Sequence, residues 1–142
     1  TLMNRGARLD EVIASVAPPA ALAARPYLSP RYDEPEFIVR NLYRLYGGWW
    51  DGNPAHLKPP RDAALARELA DLAGGAAALA ARAETTADPR LMCELVELAY
   101  LAAPDDPAIA AIRTKIYTAR AASERSVMAR SVFTAAAAES QK

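Results

Sequence analysis

His56 and Cys93 are the only imidazole and the only thiol in 142 residues, so any nucleophilic or metal-dependent chemistry would have to be drawn around one of them. A Cys-His or Ser-His-Asp arrangement could be centred only on His56, and no Gly-x-Ser-x-Gly or equivalent nucleophile context exists, so a hydrolase triad fails. His56 lies in Asn53-Pro-Ala-His-Leu57, which reads as the first turn of a short helix capped by Asn53. A lone histidine there is ordinarily a polar surface or packing residue. A metal site needs more ligands than the chain concentrates anywhere. The carboxylates that do cluster, Asp33/Glu34/Glu36 and Asp105/Asp106, sit where helix N-termini favour negative charge, which accounts for them without general acid–base work. Gly47-Gly48 and Gly74-Gly75 follow helices instead of preceding one after a strand, so no phosphate loop is present. No catalytic residue, metal ligand or cofactor is expected within the chain.

What the chain does concentrate is aromatic surface. The stretch Tyr43-Arg-Leu-Tyr-Gly-Gly-Trp-Trp-Asp-Gly-Asn-Pro-Ala-His-Leu57 holds both tryptophans, two tyrosines and the histidine. A helical stripe of Ile38, Leu42 and Leu45 runs into Gly47-Gly48, then two indoles, then Asp51-Gly52 and Asn53-Pro54. The segment must therefore stop a helix, reverse, and start another element within a few residues. The candidate site is Tyr43, Tyr46, Gly47, Trp49, Trp50, Asp51, Gly52, Asn53 and Pro54. Two readings stay open: the indoles are the largest core residues, the reading the residues favour, or with the tyrosines they line an interface or cleft.

The remaining composition narrows the classes. Seventeen Lys and Arg balance seventeen Asp and Glu, so no global field recruits nucleic acid or an anionic membrane. A single cysteine excludes an internal disulfide, and Cys93, between Met92 and Glu94 in a helical stretch, reads as a small buried hydrophobe. Charged residues or prolines interrupt every apolar run before the ~20 residues needed to span a bilayer. The domain is expected to be soluble, with cytoplasm and periplasm both open. A chain starting at Thr1 with no signal peptide reads as a fragment of something longer.

Helical spacing and cap signals predict an all-α fold over residues 1–142 as a single domain. Residues 1–35 form a short helix (Leu9, Val12, Ile13, Val16) and a proline-rich extended segment, with one turn of helix at Ala20–Ala24. Residues 36–142 form a helical bundle. Asp33-Glu-Pro-Glu36 opens a helix to about Tyr46, with Asp33 as cap. Ala63–Ala73 carries a Leu65, Leu69, Leu72 stripe and stops at Gly74-Gly75. A shorter helix covers Ala76 to Thr85. Asp88-Pro89 opens Arg90–Ala103, and Asp105-Asp106-Pro107 opens Ala108–Ala122 with Ile109, Ile112, Ile116 and Ala119 inward. Glu124–Glu139, with Met128, Val132 and Ala135 on one face, is either a separate helix or a continuation. The hairpins resemble tetratricopeptide packing, although the repeat is degenerate.

The chain resembles the dimerisation domain of the metallo-β-lactamase-type alkyl sulfatases. The likeness is carried by Tyr32-Asp-Glu-Pro-Glu-Phe37, by Val39-Arg-Asn-Leu-Tyr-Arg-Leu-Tyr-Gly-Gly-Trp-Trp-Asp-Gly-Asn-Pro-Ala-His-Leu57, and by Leu72-Ala-Gly-Gly75, Leu91-Met-Cys-Glu-Leu95, Ala103-Pro-Asp-Asp-Pro107 and Glu124-Arg-Ser-Val-Met-Ala-Arg-Ser-Val-Phe133. Its most specific part is the Tyr46 to Pro54 signature. The resemblance implies a non-catalytic dimerisation module, a fragment of a zinc-dependent alkyl sulfatase (a sulfate ester hydrolase), that pairs as a homodimer and lies against the parent's own metallo-β-lactamase domain. Two zinc ions are implied for that missing domain, and its His-x-His-x-Asp-His ligand motif has no counterpart here. The alternative is a tetratricopeptide-like module binding a peptide or an alkyl chain.

Overall fold

The computed structural model describes residues 1–141, and among them there are helices and turns but no strand. Eight α-helices follow one another: α1 Leu9–Ser15, α2 Ala20–Ala23, α3 Pro35–Gly47, α4 Asp62–Leu72, α5 Ala76–Thr85, α6 Pro89–Ala102, α7 Pro107–Ser123 and α8 Val127–Glu139. Short 3-10 turns lie at Met3–Arg5, Pro26–Leu28 and Pro54–His56. The described chain forms two compact units, one of Thr1–Pro59 with Arg125–Val127, the other of Pro60–Glu124 with the residues from Met128 onward.

Local chemistry sets the starts of α6 and α7. Asp88 and Asp106 each accept from two backbone N–H groups of the first turn through Oδ1, at 2.8 and 3.3 Å for Asp88 and 2.9 and 3.4 Å for Asp106. Both are followed by a proline at the first helical position, whose missing N–H costs nothing there. The start of α3 differs from the sequence expectation. Glu34 is its capping residue, and Asp33 Oδ1 instead accepts from the Glu34 N–H at 3.3 Å. The break at Glu124–Ser126 makes α8 a separate helix.

In the second unit α5 and α6 pack together, with α4 against α6 and α7 against both. Its core is built largely of alanine. Ala70, Leu79, Ala80, Ala99 and Ile109 form one buried cluster. Ala83, Val96, Ile116, Tyr117 and Ala137 form a second, with Phe133 stacked on Tyr117 at 5.7 Å between ring centroids. The predicted leucine stripe of α4 is not the packed face: Ala66 and Ala70 are buried, while Leu65, Leu69 and Leu72 are exposed. Small side chains let helices approach closely, and that approach selects the alanine stripe over the leucine stripe. The same inversion places Ala129 and Ala137 of α8 inward and leaves Val132 and Ala135 outward. On α7, Ile109 and Ile116 are buried as expected, whereas Ala119 is exposed.

One charged residue is buried at the centre of this unit. The Arg113 side chain donates from Nε to Glu97 Oε2 at 2.9 Å and from Nη2 to Glu97 Oε1 at 3.0 Å, a fork-to-carboxylate pair. Its Nη1 donates to Ala136 O and to Ser140 Oγ, both at 2.7 Å, and Glu139 lies 3.3 Å from Nη2. The guanidinium carbon stands 4.4 Å from the Tyr100 ring centroid and 5.1 Å from that of Tyr117. Tyr117 also donates its hydroxyl to Glu97 Oε2 at 2.9 Å. Burial works against the charge on Arg113, but the hydrogen bonds and charge of Glu97 outweigh it and hold the guanidinium pKa above its ordinary value.

Removing Arg113 leaves Glu97 without its fork and three helices without a common partner. Arg113→Ala is expected to destabilise by about 3 kcal/mol or more, and Arg113→Lys to recover little because an ammonium cannot bridge both carboxylate oxygens. Denaturant melts of the two variants check this. Ala66→Leu should cost about 1–3 kcal/mol by overpacking the α4–α6 contact, whereas Leu72→Ala, at 78% exposure, should change stability by no more than about 0.5 kcal/mol.

Candidate functional site

The candidate site lies in the first unit, where α1 packs against α3. This unit has little core: among the apolar side chains of residues 1–59, only Val12 and Val39 are buried. The Ile38, Leu42 and Leu45 stripe of α3 is exposed. The backbone of the proline-rich segment is tied down elsewhere in the unit. Ser126, fully buried, donates its hydroxyl to Tyr32 O at 2.6 Å, and Val127 N–H donates to Arg31 O at 2.7 Å.

After Gly47 the chain leaves α3 through Gly48, whose φ of 84° is open to glycine at little cost. A side chain at Gly47 would meet Met3 Cε at 3.0 Å, so the helix end is also a close approach. Trp49 is then 70% exposed, Tyr46 77% and Trp50 46%, and Tyr43 is half-buried. The core reading of the two indoles is therefore wrong. The exposed Leu45, Tyr46, Trp49 and Trp50 at the exit of α3 make up the aromatic ledge.

Beyond the ledge, the turn is held by its own side chains. Asp51 Oδ1 accepts the Asn53 N–H at 2.9 Å, and Asp51 Oδ2 lies 2.6 Å from His56 Nδ1. Asn53 Oδ1 accepts the Ala55 N–H at 3.1 Å, capping the 3-10 turn as expected. The Asn53 carboxamide nitrogen lies 3.2 Å from His56 Nε2. The Trp50 indole N–H donates to Asn53 O at 3.3 Å. The Asn53 amide, and after it the His56 ring, hold the Asp51 carboxyl below its ordinary value. A lowered carboxylate value stabilises the turn at and above neutral pH, an effect lost as the pH falls through that lowered value. Gly52 supplies the positive φ of 92° between Asp51 and Asn53, and Pro54 starts the capped turn.

The site brings Tyr43, Trp49 and Asp51 to one surface. A concavity of about 240 Å³ is lined by Leu9, Arg40, Tyr43, Arg44, Trp49 and Asp51, and one of about 290 Å³ by Arg8, Arg40, Asn53 and His56 among others. Sequence reasoning missed the contributions of Arg8 and Arg40. No motif marks them, because they reach the turn from α3 and from the segment before α1. Among the described residues no group of three or more His, Cys, Asp and Glu side chains could hold a metal ion. Cys93 sits apart in α6, half-buried, its thiol pushed up by burial.

Comparison with known proteins identifies relatives of the whole chain. The family model described as alkyl sulfatase dimerisation matches residues 8–142. A linear primary-alkylsulfatase from Pseudomonas sp. is 40% identical over 74 residues, which are 51% of this chain and 14% of that protein. An alkyl/aryl-sulfatase from Saccharomyces cerevisiae is 32% identical over 82 residues, 58% of this chain and 13% of that protein. Among solved structures, a double mutant of the sec-alkyl sulfatase PisA1 superposes with a TM-score of 0.89 and 26% identity, over 99% of this chain and 23% of that one. The stereoselective inverting sec-alkylsulfatase Pisa1 from Pseudomonas sp. superposes equally well at 24% identity, a likeness of fold. The chain thus spans about one-seventh of the curated relatives and about a quarter of the solved ones. With an all-helical fold, an outward aromatic ledge and a family match over nearly its whole length, this chain belongs to the alkyl sulfatase dimerisation family.

Proposed function

We propose that the chain pairs two copies of a sulfate ester hydrolase, acting as its homodimerisation module, and that the α3 face with the aromatic ledge is the pairing surface. The observation that carries this reading is the exposure of Leu45, Tyr46 and Trp49 at 71%, 77% and 70% in a unit with only two buried apolar side chains. So many large apolar groups left in water cost free energy at roughly 25 cal/mol per Å², and a second surface recovers it. Rigid aromatic side chains are also the residues that dominate interface energetics.

The hydrolytic chemistry belongs, on this reading, to a metallo-β-lactamase-type domain elsewhere in the parent, acting on alkyl sulfate esters with two zinc ions. This chain's own residues do not fit such a metal site: it has one histidine and one cysteine, in different units, and among the described residues no cluster of ligands. It supplies assembly. No helix among the described residues is long and apolar enough to cross a membrane.

Sedimentation equilibrium over a concentration series, with zinc determined on the same sample, tests the reading. A dimer without stoichiometric zinc is expected. Leu45→Asp and Trp49→Ala should each weaken association by about tenfold or more while the far-ultraviolet helical signal is unchanged. A chain that stays monomeric at all concentrations, or a dimer indifferent to both substitutions, overturns it.

A further inference from the structure

The hydrogen bonds of residues 51–56 leave the His56 ring only one compatible tautomer. Asn53 Oδ1 is committed to the Ala55 N–H at 3.1 Å, which turns the NH2 of the same carboxamide toward His56 Nε2 at 3.2 Å. An NH2 group can only donate, so Nε2 must accept, and the ring proton lies on Nδ1, 2.6 Å from Asp51 Oδ2. The ring is neutral in this arrangement.

Protonation changes what the turn can satisfy. An imidazolium carries N–H on both nitrogens, so Nε2–H would face the Asn53 NH2, donor against donor. Rotating the carboxamide by half a turn relieves the conflict: Oδ1 then accepts from Nε2–H, and the Ala55 N–H loses its cap. The Nδ1–H bond to Asp51 persists in both states. Asp51 favours the imidazolium, and the Asn53 cap favours the neutral ring. The groups lining the same concavity divide similarly, with Arg8 before α1 and Arg40 of α3 opposing a further positive charge and Asp10 of α1 favouring it. Arg40 is itself paired with Glu36 at 3.0 Å, which moderates its opposition.

We propose that the Asp51–Asn53–His56 cluster is a proton-operated switch, in which protonation of His56 flips the Asn53 carboxamide, uncaps the Pro54–His56 turn and loosens the aromatic ledge. The ledge is coupled through the turn itself, because the Asn53 backbone O that accepts the His56 N–H at 2.9 Å also accepts the Trp50 indole N–H. Such a device requires an element with two arrangements of similar free energy and a titratable group that distinguishes them, and a single carboxamide shared between a cap and an imidazole is one. This inference rests on bonds within residues 51–56 and stands whether or not the chain self-associates.

Long-range 1H–15N correlation spectra of the 15N-labelled chain test it directly, because the single histidine gives one unambiguous set of ring signals. Between about pH 5 and 8, where imidazoles titrate, the high-pH form should carry its proton on Nδ1. The Ala55 amide, the Asn53 side-chain amide and the Trp50 indole should shift with the same midpoint as the ring. In Asn53→Asp the carboxylate caps equally well and offers an acceptor to Nε2–H as well, so the Ala55 amide should no longer follow the ring. A high-pH tautomer protonated on Nε2, a ring that titrates while the Ala55 amide stands still, or an Asn53→Asp chain in which Ala55 still follows, each overturns the switch. If that variant does not fold, the tautomer and the wild-type midpoints decide alone.

Discussion

The second unit depends on burying one guanidinium. Taking an arginine out of water costs several kcal/mol unless every donor finds an acceptor, and Arg113 finds them in Glu97 of α6, in Ala136 O near the end of α8 and in Ser140 just beyond it. Those partners come from different helices, so the charge is satisfied only when α6, α7 and α8 hold one mutual register. Alanine packing alone would tolerate sliding, because small side chains offer shallow ridges and grooves. The ion pair therefore supplies the specificity that an alanine core lacks. The Tyr100 and Tyr117 rings beside the guanidinium supply apolar contact and quadrupole attraction at the same point.

An alanine core has a second consequence, visible in where the larger side chains go. When α4 closes on its partner through Ala66 and Ala70, its leucines are displaced outward, while Leu79 of α5 stays in the core beside Ala80. In the first unit the imbalance is greater, with Val12 and Val39 inside and Leu42, Leu45, Tyr46 and Trp49 outside. Surface of that kind is characteristic of a protein that is completed by association, which is what the family description says of its members. The physical argument and the family match reach the same place by separate routes.

Much of the helical layout was legible because its signals are local. Asp88-Pro89, Asp106-Pro107 and the Gly74-Gly75 stop each act within one turn of backbone, and the helices begin or end there to within a residue. Which face each helix buries was less legible. A hydrophobic stripe predicts burial only when bulk decides packing, and on α4 closeness of approach decided it. The Arg113 network was not legible at all, since its partners lie 16 to 27 residues away and isolated Glu and Arg on helices normally read as solvated. The same holds for Ser126 and Tyr32, whose bond joins residues 94 positions apart. At the candidate site the turn itself was legible from its Gly, Asp, Asn and Pro residues, but the indoles were weighted toward the core, where large aromatics usually lie.

That misjudgement has a physical origin worth following through. A turn that relied on its tryptophans for stability would have to bury them. This one does not, because Asp51 and Asn53 satisfy its backbone N–H groups, Gly48 and Gly52 take the positive φ angles, and Pro54 sets the next turn, all within seven residues. A turn stabilised locally by hydrogen bonds needs no apolar anchor of its own, so its aromatic side chains are free to face outward. The Asp-Gly-Asn-Pro sequence and the exposed tryptophans are then two halves of one solution: polar residues hold the backbone, and the rings are left facing outward.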